Sequence, residues 1–167
     1  MIQYGADLNL VGRIRDWHGP RDATPLEAAL FHGNLEICEL LVSSGAKVLP
    51  DHLFALMAPR TSSTEERVRW VLHHGVDVNS PHPRHGTALH YVVWYNKRND
   101  VKLLLEEGAD PMARPQTPWA GTTPRELLES RESDQGAHER NQELRELLLE
   151  AEINATAHTQ DSSEPRK

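Results

Sequence analysis

Apolar residues recur along the chain at helical spacing, in short runs separated by glycine and by polar stretches. One run predicts a helix that is apolar on one side: Leu35, Cys38, Leu40 and Leu41. Near the C-terminal end, a more charged helix is predicted from a second set: Leu144, Leu147, Leu148 and Ile153. Helices this short and one-sided must bury their apolar faces against neighbouring elements of the fold.

Two sequence markers recur at nearly constant spacing and indicate an internal repeat. The first marker is a glycine followed by a small or β-branched residue, and its intervals are 40, 30 and 33 residues: Gly5, Gly45, Gly75 and Gly108. The second marker is a short Thr-initiated motif that begins at Thr24, Thr87 and Thr123. Thr24 precedes Gly45 by 21 residues, and Thr87 precedes Gly108 by 21 residues as well. Two independent markers with one spacing indicate a common structural unit.

These residues resemble the ankyrin repeat, which has a period of about 33 residues and the signature T-P-L-H-x-A. The best match runs from Thr24 to Ala46, and the next best runs from Gly86 to Asp110. The resemblance covers about residues 1–154. It implies an all-α ankyrin-repeat solenoid of stacked helix-turn-helix units with finger loops between them. The residues agree with it, since threonine can cap each first helix and glycine can end each second helix in a left-handed conformation.

The repeat pattern also divides the chain. It predicts a partial repeat at 1–9 and four repeats, numbered first to fourth below, at about 24–47, 51–79, 87–112 and 123–154. The second repeat is degenerate, and Asp51 is expected to be its N-cap residue. A polar tail, 155–167, is expected to be disordered. Because the pattern begins with the last turn of a second helix, we expect the first repeat to lack a complete outer neighbour.

Composition narrows the classes of function. The chain has 167 residues and a net charge of −7, which disfavours nucleic acid as a partner because phosphate neutralisation dominates that affinity. No apolar run approaches the length of a membrane span, and no signal-peptide pattern follows Met1. The one cysteine, Cys38, cannot form an internal disulfide, so a cytoplasmic or nuclear protein is expected. A monomer is favoured over a homo-oligomer.

Histidine is the main candidate for metal chemistry. His82, His85 and His90 are close in sequence, whereas zinc requires three or four converging ligands. His90 occupies the histidine position of the repeat signature, and its imidazole is expected to join neighbouring finger loops by hydrogen bonds. Cys38 lies on an apolar helix face and is expected to be buried and inert. We therefore expect no catalytic residues, no cofactor and no metal, and a metal-binding protein is the least favoured hypothesis.

The sequence instead predicts a module that binds another protein. The family resemblance implies partner contacts on the concave helix face, at the position of Trp94 and Tyr95 in the third repeat. The matching pair in the first repeat is Phe31 and His32. Finger-loop residues complete the candidate set: Trp17, Arg84 and Trp119. The two tryptophans have an alternative role, which is to cover the ends of the core. Trp94 has an alternative role, which is packing against the fourth repeat. The alternative function is the substrate-recognition part of a larger multidomain or ubiquitin-ligase assembly.

Overall fold

The computed structural model describes residues 7–16, 19–58, 65–116, 121–131 and 141–161. Within them the chain forms eight helices and one short β-hairpin. The strands are β1 (Gly12–Asp16) and β2 (Gly19–Ala23), which pair antiparallel with Gly12 opposite Ala23. The helices are α1 (Pro25–His32), α2 (Leu35–Ser43), α3 (Pro50–Leu56), α4 (Glu65–His73), α5 (Ala88–Trp94), α6 (Arg98–Glu106), α7 (Pro124–Ser130) and α8 (Gln142–Asp161).

The chain divides into two compact units, Met1–Asp77 and Val78–Lys167. In the first unit, α1 pairs with α2, α3 pairs with α4, and α1 also packs against α3. The hairpin precedes α1 as an enlarged finger loop. The core of this unit is formed by side chains that are at most 2 % exposed: Leu26, Leu30, Leu53, Met57 and Val68.

In the second unit, α5 packs against both α6 and α7, while α8 contacts α6 and α7. Its core side chains are at most 3 % exposed: Leu89, Leu104, Leu127, Leu144 and Leu148. α8 continues to Asp161, so residues 155–161 extend the last helix, although a disordered tail was predicted from Ala155 onward. Two alanines among these polar residues favour the helix, which polarity alone did not indicate. The remainder of the predicted tail, 162–167, lies outside the described residues.

Two of the first helices begin as the signature predicts. The Thr24 hydroxyl accepts the backbone N–H of Glu27, while the Glu27 carboxylate accepts the N–H of Thr24 at 2.7 Å. The same reciprocal cap joins Thr123 and Glu126. A proline follows each threonine at the first helical position, where a missing N–H leaves no hydrogen bond unmade.

The other two first helices differ from the predictions. Thr87 stands at the N-cap of α5 but makes no side-chain cap, because its hydroxyl is hydrogen-bonded to His90 instead. The prediction for Asp51 was wrong, since α3 begins at Pro50 with Leu49 as its N-cap residue. The Nδ1 atom of His52 accepts the N–H of Leu49 at 2.8 Å, so His52 supplies the cap from inside the helix.

Three second helices, α2, α4 and α6, are followed by the predicted glycine. Gly45, Gly75 and Gly108 have φ values of 106°, 89° and 84°, which L-residues rarely adopt, and the prediction is confirmed. The predicted apolar stripe of α2 is only partly buried. Cys38 and Leu41 are buried, whereas Leu40 is 55 % exposed and Ile37 is 46 % exposed.

Candidate functional site

His90 is a structural residue that fixes a finger loop. Its Nε2 atom donates to the backbone carbonyl of Thr122 at 2.9 Å, and its Nδ1 atom accepts from the Thr87 hydroxyl at 2.8 Å. The ring is fully buried, and this burial lowers its pKa against the opposing effects of the Thr122 hydrogen bond and Asp110. The neutral imidazole is therefore satisfied at both nitrogens. The predicted hydrogen bonding of His90 to a neighbouring finger is confirmed.

A continuous row of rings runs from the finger before α5 to the end of that helix. His82 stacks on His85 with 4.6 Å between ring centroids, and His85 lies 4.8 Å from Tyr91. Tyr91 meets Tyr95 edge-to-face at 5.0 Å. We call these four residues the aromatic strip. Tyr91 is buried, whereas Tyr95 is 42 % exposed, so the strip reaches solvent at its helical end.

The aromatic strip also perturbs its own titratable groups. The pKa of His85 is lowered, first by burial and then by the nearby charges of His82 and Arg84. The pKa of Tyr91 is raised, first by burial and then by Tyr95. At neutral pH, His85 and Tyr91 thus present uncharged rings, which suits a surface that packs against an apolar side chain.

The finger that carries His82 and His85 is a tight turn. The N–H of His82 donates to the Gly86 carbonyl at 2.7 Å, and the N–H of Gly86 donates back to His82 at 3.1 Å. The His85 N–H also donates to the His82 carbonyl, at 3.2 Å. Gly86 has a φ of 64°, which permits this closure. Arg84 lies at the tip of the turn and is exposed.

Trp94 and Tyr95 are adjacent in sequence, but they face different surroundings. Trp94 is half-buried, and the guanidinium of Arg131 lies 4.0 Å from its ring centroid. Arg131 also donates a hydrogen bond to the Trp94 carbonyl. Trp94 therefore contacts the fourth repeat, through Arg131 at the end of α7, and Tyr95 belongs to the aromatic strip.

The matching pair in the first unit shows a similar division. Phe31 is half-buried and His32 is exposed, with their rings 5.8 Å apart at nearly a right angle. Arg67 from α4 donates to the carbonyls of Leu30 and Phe31, both at 3.0 Å, and so covers the end of α1. In each unit, an arginine thus holds the C-terminal end of a first helix.

Sequence reasoning missed most of the aromatic strip. His82, His85 and Tyr91 were not among the predicted binding residues, although the four-residue spacing of Tyr91 and Tyr95 places both on one side of a helix. The contact of His85 with Tyr91 depends on the turn of the finger, which no spacing reveals. Trp17 and Trp119, which were also predicted to bind a partner, lie outside the described residues.

A second surface feature lies on the second helices of the first unit. A groove of about 680 Å³, here the second-helix groove, is lined by Leu35, Glu65, Glu66, Arg69, Trp70 and His73. Trp70 is 8 % exposed, and its indole N–H donates to Glu39 at 2.6 Å. The ring of His74 stacks on the indole, with 3.9 Å between the ring centroids. Trp70 is thereby held in place by its own unit.

The chemistry of the remaining candidates is limited. Among the described residues, no group of three or more His, Cys, Asp or Glu side chains is arranged to hold a metal ion. Cys38 is buried, and burial together with Glu39 raises the pKa of its thiol to about 11, which disfavours the reactive thiolate. No helix within the described ranges is long and apolar enough to cross a membrane.

Paired short helices, left-handed glycines after three of the second helices and finger loops between the pairs define a helix-pair repeat protein. The family model for ankyrin repeats, in three copies, matches residues 28–115, and the chain belongs to the ankyrin-repeat family. Its fold is accordingly an all-α ankyrin solenoid, and ankyrin repeats in general are protein–protein interaction modules. The chain is similar to the ankyrin repeat protein nuc-2 of Neurospora crassa, with 34 % identity over 98 residues. That match covers 54 % of this chain and 9 % of the relative's length.

Proposed function

We propose that the chain binds a protein partner through the aromatic strip and Arg84 in the third repeat. The observation that carries this proposal is the unbroken contact of four rings from a rigid finger to the exposed ring of Tyr95. The family supports the general role, because ankyrin repeats are interaction modules. The residues and the surface are our assignment.

The physical character of the aromatic strip suits recognition. Tyrosine offers a large apolar contact area with few rotatable bonds, so little conformational entropy is lost when it is covered. Tyr95 is supported from behind by the buried ring of Tyr91, and its position is thus fixed before any partner arrives. Such preorganised aromatic side chains dominate the binding energy of many interfaces.

The other predicted binding residues have different roles in this proposal. Phe31 and His32 form a second candidate contact region in the first unit. Trp94 is assigned mainly to stability, because Arg131 already covers its ring. Trp17 and Trp119 remain predicted finger contacts. We assign no catalytic residue to the chain, and its function as the recognition part of a larger assembly remains the alternative.

The proposal is tested by capturing a partner from a native extract with the wild-type chain and two matched variants. Tyr95→Ala removes an apolar side chain that is 42 % exposed, and Leu149→Ala on α8 removes one that is 45 % exposed. We expect Tyr95→Ala to weaken binding of the captured protein by about 2 kcal/mol, as at interface hot spots. Leu149→Ala is expected to bind like the wild type. Equal binding by all three proteins would contradict the proposal.

A further inference from the structure

The partner's chemistry is indicated by Arg84, at the tip of the finger that carries His82 and His85. Pro83 precedes Arg84 in the turn, and the backbone N–H of Arg84 donates to the Nδ1 atom of His82 at 3.1 Å. Together with the paired backbone hydrogen bonds of His82 and Gly86, this fixes the Arg84 backbone. A partner group that pairs with Arg84 therefore meets a side chain whose attachment point is already ordered.

The guanidinium of Arg84 differs from those of four other arginines in the described part of its unit. Arg98 pairs with Glu143, Arg114 pairs with Glu126, and Arg125 pairs with both Glu129 and Glu152. Arg131 covers Trp94. Within the described part of the chain, no carboxylate lies within ion-pair distance of Arg84, whose side chain is exposed.

We propose that the partner presents a carboxylate to Arg84 and, beside it, an apolar side chain to Tyr95. This inference rests on the proposed function, because it names the partner chemistry of the same surface. Guanidinium and carboxylate form two parallel hydrogen bonds in a fixed planar geometry. The aromatic strip begins at the residues on either side of Pro83 and Arg84, so an acidic residue and an apolar one in the same short segment engage both features.

The occupant we favour is an acidic–apolar peptide segment of another protein. Charge complementarity supports it, since the finger 78–86 has Arg84 as its basic residue and its own sequence lacks a carboxylate. A second copy of this chain is the competing occupant, because residues 123–167 carry 11 acidic residues against 6 basic ones. The two are distinguished by measuring self-association directly.

The test selects peptides from a displayed library of random dodecapeptides on the immobilised full chain, with Tyr95→Ala as the counter-selection. We expect the enriched peptides to contain Asp or Glu next to an apolar residue. The best peptide is then measured against Arg84→Ala and Arg84→Glu, together with its own isosteric Glu→Gln or Asp→Asn version. We expect the affinity to fall roughly fivefold for Arg84→Ala and for the neutral peptide. Combining both changes should cause no further loss of affinity. Arg84→Glu is expected to lower the affinity for the peptide more than tenfold.

The control for charge alone is Arg13→Glu, which reverses the charge of an exposed side chain in the first finger. An equal loss for Arg13→Glu and Arg84→Glu would mean diffuse steering and would overturn the inference. Peptides that need Tyr95 but show no acidic excess, or that bind Arg84→Ala as well as the wild type, would overturn the inference and leave only binding through the aromatic strip standing. A selection in which nothing enriches over Tyr95→Ala would overturn both. Sedimentation that shows a dimer lost in Arg84→Glu would identify the second copy and overturn the peptide assignment.

Discussion

The guanidinium of Arg131 lies 4.0 Å from the ring centroid of Trp94, and its N–H donates to the Trp94 backbone carbonyl. A residue at the end of α7 thus covers both the ring and the terminal carbonyl of α5. This contact separates two neighbours that the sequence grouped together, because Tyr95 turns toward the aromatic strip instead.

The contact predicts that Trp94 contributes mainly to stability. Trp94→Ala should lower the free energy of unfolding by roughly 2 kcal/mol, less than for a fully buried aromatic residue, because the ring is half-buried. Tyr95→Ala should change the free energy of unfolding by less than about 1 kcal/mol, since Tyr95 is 42 % exposed and lies at the surface. Urea unfolding of the two variants and the wild type measures this. A larger loss for Tyr95→Ala than for Trp94→Ala would contradict the assignment.

Removal of the buried imidazole of His90 should destabilise the chain more than Trp94→Ala or Tyr95→Ala does. His90→Ala leaves the Thr122 carbonyl without this donor and opens a space at a fully buried position. We expect a loss of about 2–4 kcal/mol in the free energy of unfolding. The exposed His32 serves as the control, because His32→Ala should have little effect. Similar losses for both variants would show that His90 does not fix the finger.

Stability should fall as the pH is lowered from about 7.5 to 5.5. Burial lowers the pKa of His90, and burial with neighbouring charges lowers that of His85. The unfolded chain therefore binds protons at a higher pH than the folded chain does. The contribution of these two neutral histidines to stability is fully present above the ordinary histidine pKa of about 6.5 and is lost as the pH falls below it.

The pH effect is measured by urea unfolding at several pH values within that window. The carboxyls whose pKa is lowered, Glu126 and Glu143, act only at more acidic pH because their ordinary value is 4.5. His90→Gln should reduce the dependence on pH. A His90→Gln variant with the full dependence of the wild type would contradict this origin.

Much of the fold could be predicted from the sequence because the markers act locally. Thr24 with Glu27, and a glycine after each of α2, α4 and α6, determine where helices start and stop through bonds made within a few residues. The start of α3 was misplaced because His52 caps its helix through an imidazole nitrogen, and no threonine marks the position.

The candidate site was harder to predict because its contacts join distant segments. The sequence placed Trp94 and Tyr95 at one site, and only the position of Arg131, 37 residues after Trp94, separates them. A repeated pattern was also missed. The side chains of Asn9 and Asn79 accept the N–H of Lys47 and Asp110 at 2.9 and 2.8 Å, each two residues past a repeat glycine.

Helix α2 should open more readily than helix α6. α2 has two buried residues and leaves Ile37 and Leu40 about half exposed, whereas four residues of α6 are buried, including Leu103 and Leu104. Amides of Leu35–Ser43 should exchange with solvent faster than those of Arg98–Glu106. Hydrogen exchange resolved by mass spectrometry measures both helices in one sample. Equal protection, or the reverse order, would mean that the exposed face of α2 is covered in solution.

The most direct test of the central claim is hydrogen exchange of the chain with and without its captured partner. If the partner binds the aromatic strip, the largest gain in protection should fall in His82–Tyr95, while the α4 segment that lines the second-helix groove should be unchanged. The control is the Tyr95→Ala chain, in which the gain at His82–Tyr95 should be reduced at the same partner concentration. Protection that appears on α4 around Trp70 and leaves His82–Tyr95 unchanged would contradict the assignment of the binding surface.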